Sequence, residues 1–200
     1  MHRRHSPRLL SDSHEVIYRM ADGTYRKTKI KRQTTVGRDL LFIERNLGFL
    51  KPGGRMAIVL PQGHFNNASD KGLREYIAEK CRILAVVGLH GNVFKPHTGT
   101  KTSVLFVQKW NDDAKAGPLC PRVKDYPIFF ATMKEPSKDN SGDKIYRQAA
   151  NGSRLLDENG HLIVKHDLFG QKTEEGGRTP EGIAEAFIEF AKKERLSFFR

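Results

Sequence analysis

The sequence predicts an α/β fold, in which a mostly parallel sheet is layered between helices and its last strand runs in reverse. Three observations support this class. Apolar residues recur at helical spacing over residues 39–50, and a nearly all-apolar strand, residues 55–60, follows them. A second helix and a second buried strand, residues 83–89, then repeat the same order. The third strand, residues 102–109, follows a loop of only twelve residues without a helical pattern, which favours an antiparallel connection.

The first helix has clear start and stop signals. Asp39 can cap its first turn, and the segment Lys51-Pro-Gly-Gly54 ends it, because proline cannot continue a helix and glycine tolerates the left-handed exit. This segment closes a helix and opens a strand, whereas a phosphate-binding loop closes a strand and opens a helix. We therefore interpret it as a helix stop.

The remaining helices and strands are predicted from helix-capping residues and from the prolines and glycines that interrupt regular structure. Ser69 or Asp70 can cap a helix that runs to about Lys80. Residues 126–132 are predicted to be an edge strand, since Pro127 cannot donate to a ladder. Residues 134–178 are polar and glycine-rich, without a recognisable repeat. A last helix is expected after Thr179 as N-cap, with proline at its first position.

The N-terminal segment is strongly basic. Residues 1–38 hold ten Lys and Arg against three Asp and Glu, a net +7 of the chain's +12. Around Asp22-Gly23 the sequence is compatible with a β-hairpin. The charge suits a polyanionic partner such as nucleic acid, but a solvated basic segment without a partner explains it equally well.

Composition and motif content exclude several classes of protein. The chain has no apolar run long enough to cross a membrane and no signal-peptide pattern. Two cysteines are too few for a disulfide scaffold or a four-cysteine zinc site, and they indicate reduced thiols in the cytoplasm. The histidines show no metal-ligand spacing, so no metal site is predicted. The glycine-rich nucleotide loops and the G-x-S-x-G motif are also absent.

The loop of residues 92–102 carries the most chemistry. An aromatic ring beside lysines and hydroxyls suits stacking on a base and pairing with phosphate, which makes candidates of Phe94, Lys95, Thr100 and Lys101. An ordinary polar loop with Phe94 folded onto the core has the same composition, and composition alone favours that alternative.

A second candidate loop follows the first buried strand. Ligands of open α/β sheets bind at the carboxyl ends of the strands, which makes Pro61, Asn66 and Asn67 candidates. The two asparagines could equally be turn residues before the next helix. Because the first two strands should be parallel, both candidate loops are expected at the same edge of the sheet.

Two long segments resemble a known family. F-I-E-R-N-L-G-F-L-K-P-G-G-R-M-A-I-V-L-P-Q-G (42–63) and F-K-P-H-T-G-T-K-T-S-V-L-F-V-Q-K (94–109) are similar to the modification subunits of type I restriction-modification systems, which are N6-adenine DNA methyltransferases. The resemblance extends over roughly residues 39–192. It implies part of a Rossmann-like sheet for S-adenosylmethionine-dependent methyl transfer, a bacterial or archaeal cytoplasmic location, and DNA and the specificity and restriction subunits as partners.

The chain departs from this family in two motifs. It contains neither the glycine-rich cofactor loop of D-P-x-x-G-[ST]-G type nor the N-P-P-F tetrad. The resemblance therefore implies a C-terminal portion with no catalytic residue of its own. S-adenosylmethionine would serve the complete enzyme, with a missing N-terminal portion as a further partner.

The expected organisation has four parts. They are a basic, weakly structured segment (1–38), the C-terminal half of a methyltransferase domain (39–132), a loop-rich segment (133–178) and a C-terminal helix (179–200). The alternative function is a non-catalytic basic module that binds DNA or a subunit, or a gene remnant.

Overall fold

A computed structural model describes residues 15–19, 25–29, 38–196 and 198. The chain divides into two compact units, Met1–Leu50 and Lys51–Arg200. The first unit holds strands β1 (Glu15–Arg19) and β2 (Tyr25–Lys29) and helix α1 (Arg38–Phe49). The second unit holds, in chain order, β3 (Arg55–Pro61), α2 (Gly63–Asn66), α3 (Lys71–Lys80), β4 (Cys81–Gly88), β5 (Thr102–Lys109), β6 (Phe129–Thr132) and α4 (Ile183–Lys193).

The first unit confirms the hairpin and the first helix. Strands β1 and β2 pair antiparallel, and the predicted turn at Asp22-Gly23 lies outside the described residues. Helix α1 buries one stripe through Ile43 and Leu47. Asp39 is not the cap, because the helix already begins at Arg38. The Asp39 carboxylate instead accepts the Leu40 N–H at 3.0 Å within the first turn, where a negative charge suits the helix dipole.

The sheet of the second unit has the order β3-β5-β4-β6. Strand β5 is antiparallel to both β3 and β4, while β6 is parallel to β4. Three strands therefore run in one direction and β5 runs in reverse, which confirms the predicted α/β sheet. The reversed strand lies inside the sheet, between the two strands that α3 connects.

Burial differs between the strands. Strand β4 lies between two neighbours and most of its residues are buried or half-buried, as predicted. The apolar composition of residues 55–60 predicts a buried strand with both faces covered, and this prediction is wrong for β3. Its burial alternates, and Val59 is 46% exposed. Within the described residues β3 pairs only with β5, so it is an edge strand with one open backbone side.

Helix α4 begins three residues later than predicted. Thr179 does not cap it, because its hydroxyl accepts the Gln171 N–H at 2.8 Å. The Glu185 carboxylate reaches back to the Gly182 N–H at 2.8 Å and to the Gly170 N–H at 3.0 Å. These backbone hydrogen bonds hold the pKa of Glu185 below its ordinary value.

The core on one face of the sheet is aromatic. The ring of Phe129 on β6 meets Phe187 and Phe190 of α4 at centroid distances of 5.4 and 5.5 Å. Leu84 and Ala191 are buried beside them. The amphipathic stripe of α4 is therefore what covers this face of the sheet.

Residues 134–178 contain a structural repeat that the sequence did not reveal. Four tight turns each place a glycine at positive φ, and its N–H donates to the carbonyl three residues earlier; these glycines are Gly142, Gly152, Gly160 and Gly176. Three of the extended segments next to these turns are joined by a closed ring of backbone hydrogen bonds. The Arg147 N–H donates to Ile163, Ile163 to Leu155, and Leu155 to Arg147, at 2.9 to 3.0 Å. The spacing of the turns is irregular, which hides the repeat in the sequence.

Candidate functional site

The two candidate loops meet at the end of the sheet. Pro61, the last residue of β3, pairs with Thr102, the first residue of β5. One step beyond, the Gln62 N–H donates to the Lys101 carbonyl at 2.9 Å. On the other side of β5, the Leu89 N–H donates to the Thr102 carbonyl at 2.9 Å. Residues 61–67 and 90–101 therefore start from one edge, as the parallel direction of β3 and β4 predicts.

The residues of the first loop divide into two groups. Pro61 and Asn66 are exposed. Asn67 is exposed as well, but it directly follows the last residue of α2 and its carbonyl accepts the Arg74 guanidinium at 2.8 Å, so it acts as a turn residue. Arg74 also binds the His64 carbonyl at 3.0 Å. This arginine holds the loop in place from helix α3.

The second loop presents most of its polar groups to solvent. Thr100 and Lys101 are exposed, and the Thr100 N–H donates to the Thr98 hydroxyl at 3.1 Å. Lys95 is half-buried. Phe94 is 37% exposed, so its ring is neither sealed in the core nor fully in solvent.

A cavity of about 540 Å³ lies beside this junction, on the sheet face opposite α4. Its apolar floor comes from Ile77, Val86, Leu105 and Phe130, and its polar rim comes from Gln62, Asn66, Arg74 and Lys101. Of the predicted residues, only Asn66 and Lys101 line it. An apolar floor below amides and cations can hold a planar ring with a polar edge.

Sequence reasoning missed Gln62, Arg74 and Phe130. Phe130 is 70% exposed, and it joins the floor because β6 pairs in parallel with β4, opposite Val86. The position of Phe130 next to Val86 follows from the order of the strands in the sheet, which the sequence does not show. Arg74 sits on α3 four residues past its N-cap, a position at which a solvent-facing arginine is equally common.

The thiols do not contribute chemistry to this site. Burial raises the pKa of Cys81 to about 12, and it also raises the pKa of Cys120. Both thiols are free and buried. A protonated buried thiol is a poor nucleophile, so their role is packing.

In the part of the chain that the structure describes, no three His, Cys, Asp or Glu side chains are grouped in a way that could hold a metal ion. No helix among the described residues is long and apolar enough to span a bilayer.

Comparisons with known proteins agree with the sequence resemblance. The methylase subunit of the type I restriction enzyme EcoEI from Escherichia coli is 34% identical over 89 residues, which are 44% of this chain and 18% of that protein. The chain thus matches less than a fifth of that relative's length.

Solved structures give partial matches. The type I restriction enzyme EcoKI M protein matches 38% of this chain and 16% of its own, at 28% identity and a TM-score of 0.35. A structure described as a class I S-adenosylmethionine-dependent methyltransferase from Listeria monocytogenes matches 47% of this chain and 26% of its own, at 22% identity and a TM-score of 0.38.

The family comparison covers most of the chain. The model of the N-6 DNA Methylase family matches residues 15–161, a span that includes the hairpin, the four-stranded sheet and both candidate loops. This chain belongs to the N-6 DNA methylase family.

Proposed function

We propose that this chain forms one wall of the DNA site in an adenine-N6 methyltransferase of a type I restriction-modification system. The observation that carries the proposal is the junction of the two loops, where the Gln62 N–H binds the Lys101 carbonyl. It places a half-exposed aromatic ring, two lysines and an asparagine on loops from one sheet edge. Family membership and the relative from Escherichia coli support the reaction class.

The two loops would contact a base that has been flipped out of the duplex. A methyltransferase that modifies an adenine amino group must flip the base out of its stack. Phe94 would stack on that base or on a neighbour, and Lys95 and Lys101 would pair with phosphates. Pro61 and Asn66 would border the same edge. DNA and the specificity and restriction subunits are the partners this assignment implies, in a bacterial or archaeal cytoplasm.

We infer that the residues of this chain do not form a cofactor site by themselves. S-adenosylmethionine sites of this family use a glycine-rich loop, and the amino group of the base is held by the N-P-P-F tetrad. Neither motif occurs in the sequence. No methyl-transfer step is therefore assigned to this chain alone.

We expect the purified chain to bind no S-adenosylmethionine and to transfer no methyl group to DNA. Calorimetry would measure the first property, and transfer of labelled methyl groups the second. The methylase subunit from Escherichia coli, assayed in parallel together with its specificity subunit, is the positive control. Micromolar cofactor binding by the chain would contradict the assignment, because it would require a cofactor site outside the known motifs.

A basic module without catalysis is the second candidate, and the net +7 of residues 1–38 favours it. We expect DNA binding to be weakly sequence-selective, with an affinity that falls steeply as salt rises, because each neutralised phosphate releases counterions. Deleting residues 1–38 should remove most of this binding in a fluorescence-anisotropy titration.

A matched variant separates charge from structure. Replacing Lys27, Lys29 and Lys31 by glutamine in the full chain removes three charges and leaves the segment in place. This variant should show a shallower salt dependence. If deletion leaves the affinity unchanged, the basic segment is only solvated and the DNA contacts lie elsewhere.

A further inference from the structure

We propose that the hairpin of residues 137–145, here called the brace, fixes the shape of the loop of residues 90–101. Asn92, Lys138 and Gly142 are then positioning residues for the DNA contacts of that loop. The DNA part of this inference rests on the proposed function, whereas the brace itself rests on contacts within the chain.

Three contacts join the brace to the loop across more than forty residues of sequence. The Lys138 ammonium donates to the Lys95 carbonyl at 2.7 Å. The Asn92 side-chain amide donates to the Lys138 carbonyl at 3.1 Å and to the Asn140 side-chain oxygen at 3.2 Å. Each segment thus donates hydrogen bonds to the other. The contacts lie at Asn92 and Lys95, on either side of Phe94.

Close backbone packing adds a steric constraint. Gly142 has φ +101°, and a Cβ atom there would lie 2.6 Å from the Cδ and N atoms of Pro96. The Asp139 carboxylate accepts the N–H groups of Ser141 and Gly142 at 2.9 and 2.8 Å, which holds the tip of the brace in shape. Only a glycine fits against the proline ring at this point.

The direction of the Lys138 ammonium separates this role from a direct DNA contact. Its hydrogen bond is to a backbone carbonyl of the protein, and the residue is half-buried. Its ladder partner Lys144 is exposed. The two lysines lie opposite each other on one hairpin, and they carry the same charge in different surroundings.

This pair provides a matched test. In the full chain without DNA, Lys138→Met should raise amide hydrogen exchange about tenfold over residues 93–98, because a hydrogen bond from a charged group is lost. The N–H groups of Val93, Lys95 and Thr98 bind carbonyls within the loop and report its order. Lys144→Met should leave their exchange unchanged. Lys138→Arg can donate to the same carbonyl and should restore protection.

DNA affinity tests the positioning role. Lys138→Met should weaken binding more than Lys144→Met, although both variants lose one positive charge. Gly142→Ala should also weaken binding while every charge remains, and thermal melting shows whether the variants are folded.

The outcomes separate the two proposals. Equal exchange in the two methionine variants would overturn the brace. Faster exchange with equal loss of affinity would overturn the positioning role. If neither methionine variant nor Gly142→Ala changes the DNA affinity, the loop makes no DNA contact and the proposed function fails, whereas the exchange data still decide whether the hairpin braces the loop.

Discussion

Replacing Gly53 by alanine is expected to lower the free energy of unfolding by about 3 kcal/mol or more. Gly53 has φ +69°, and a Cβ atom there would lie 1.8 Å from the Pro118 carbonyl oxygen. That oxygen belongs to backbone and cannot turn aside. The Gly53 carbonyl also accepts the buried Gln108 amide at 3.0 Å, so a shift of this turn would break a hydrogen bond in the core.

Gly72 provides the matched control. It lies in helix α3, and outside its own stretch of helix backbone no atom lies within 4 Å of its Cβ position, so alanine meets no obstacle there. Gly72→Ala should stabilise the fold by up to about 1 kcal/mol, because alanine restricts the unfolded chain and favours helix. Urea unfolding followed by circular dichroism measures both variants. A loss below about 1 kcal/mol for Gly53→Ala would show that the loop around Pro118 can move away.

The turn at Gly53 shows which structural features a local sequence pattern can predict and which it cannot. Lys51-Pro-Gly-Gly54 was recognisable as a helix stop, because proline and glycine act on their own backbone. Its contact with Pro118 was not recognisable, since the two segments are more than sixty residues apart. Helix α1 and strand β5 were predicted to within about one residue for the same reason: their periodicity is local.

The wrong predictions concern residues whose structure depends on contacts with other segments of the chain. Thr179 had the residue type of an N-cap, but its hydroxyl binds Gln171 eight residues earlier, and the glycine at position 182 takes the cap instead. Strand β3 had the composition of a covered strand, but its place in the sheet leaves Val59 exposed. Strand order decides burial, and a single strand's composition does not encode it.

The candidate site was predicted in part. The shared edge followed from chain direction alone, so the meeting of the two loops was predictable. Whether the loop chemistry is functional did not follow, because a polar loop and a DNA-binding loop have the same composition. The brace and the cavity floor depend on the repeat of residues 134–178 and on β6, whose pairings no local pattern indicated.

The largest effect on the proposed activity is expected from Phe94→Ala. The ring is 37% exposed, and it sits on the loop that Asn92 and Lys138 hold in place. Loss of base stacking should cost about 1–3 kcal/mol in DNA methylation. The assay needs a completed enzyme, made by placing residues 39–192 of this chain into the methylase subunit from Escherichia coli and adding the specificity subunit of that system. Labelled methyl transfer to DNA then reports turnover.

Two matched phenylalanines separate stacking from packing. Phe169→Ala removes a ring of similar exposure, 44%, from the loop-rich segment and should leave methylation unchanged. Phe129→Ala removes a half-buried ring packed against α4 and should cost about 2 kcal/mol of stability. Phe94→Ala should change the melting temperature little, because much of its ring is already in solvent. A large fall in melting temperature with full turnover per folded molecule would instead place Phe94 in the core, and the loop would then be an ordinary connection between β4 and β5.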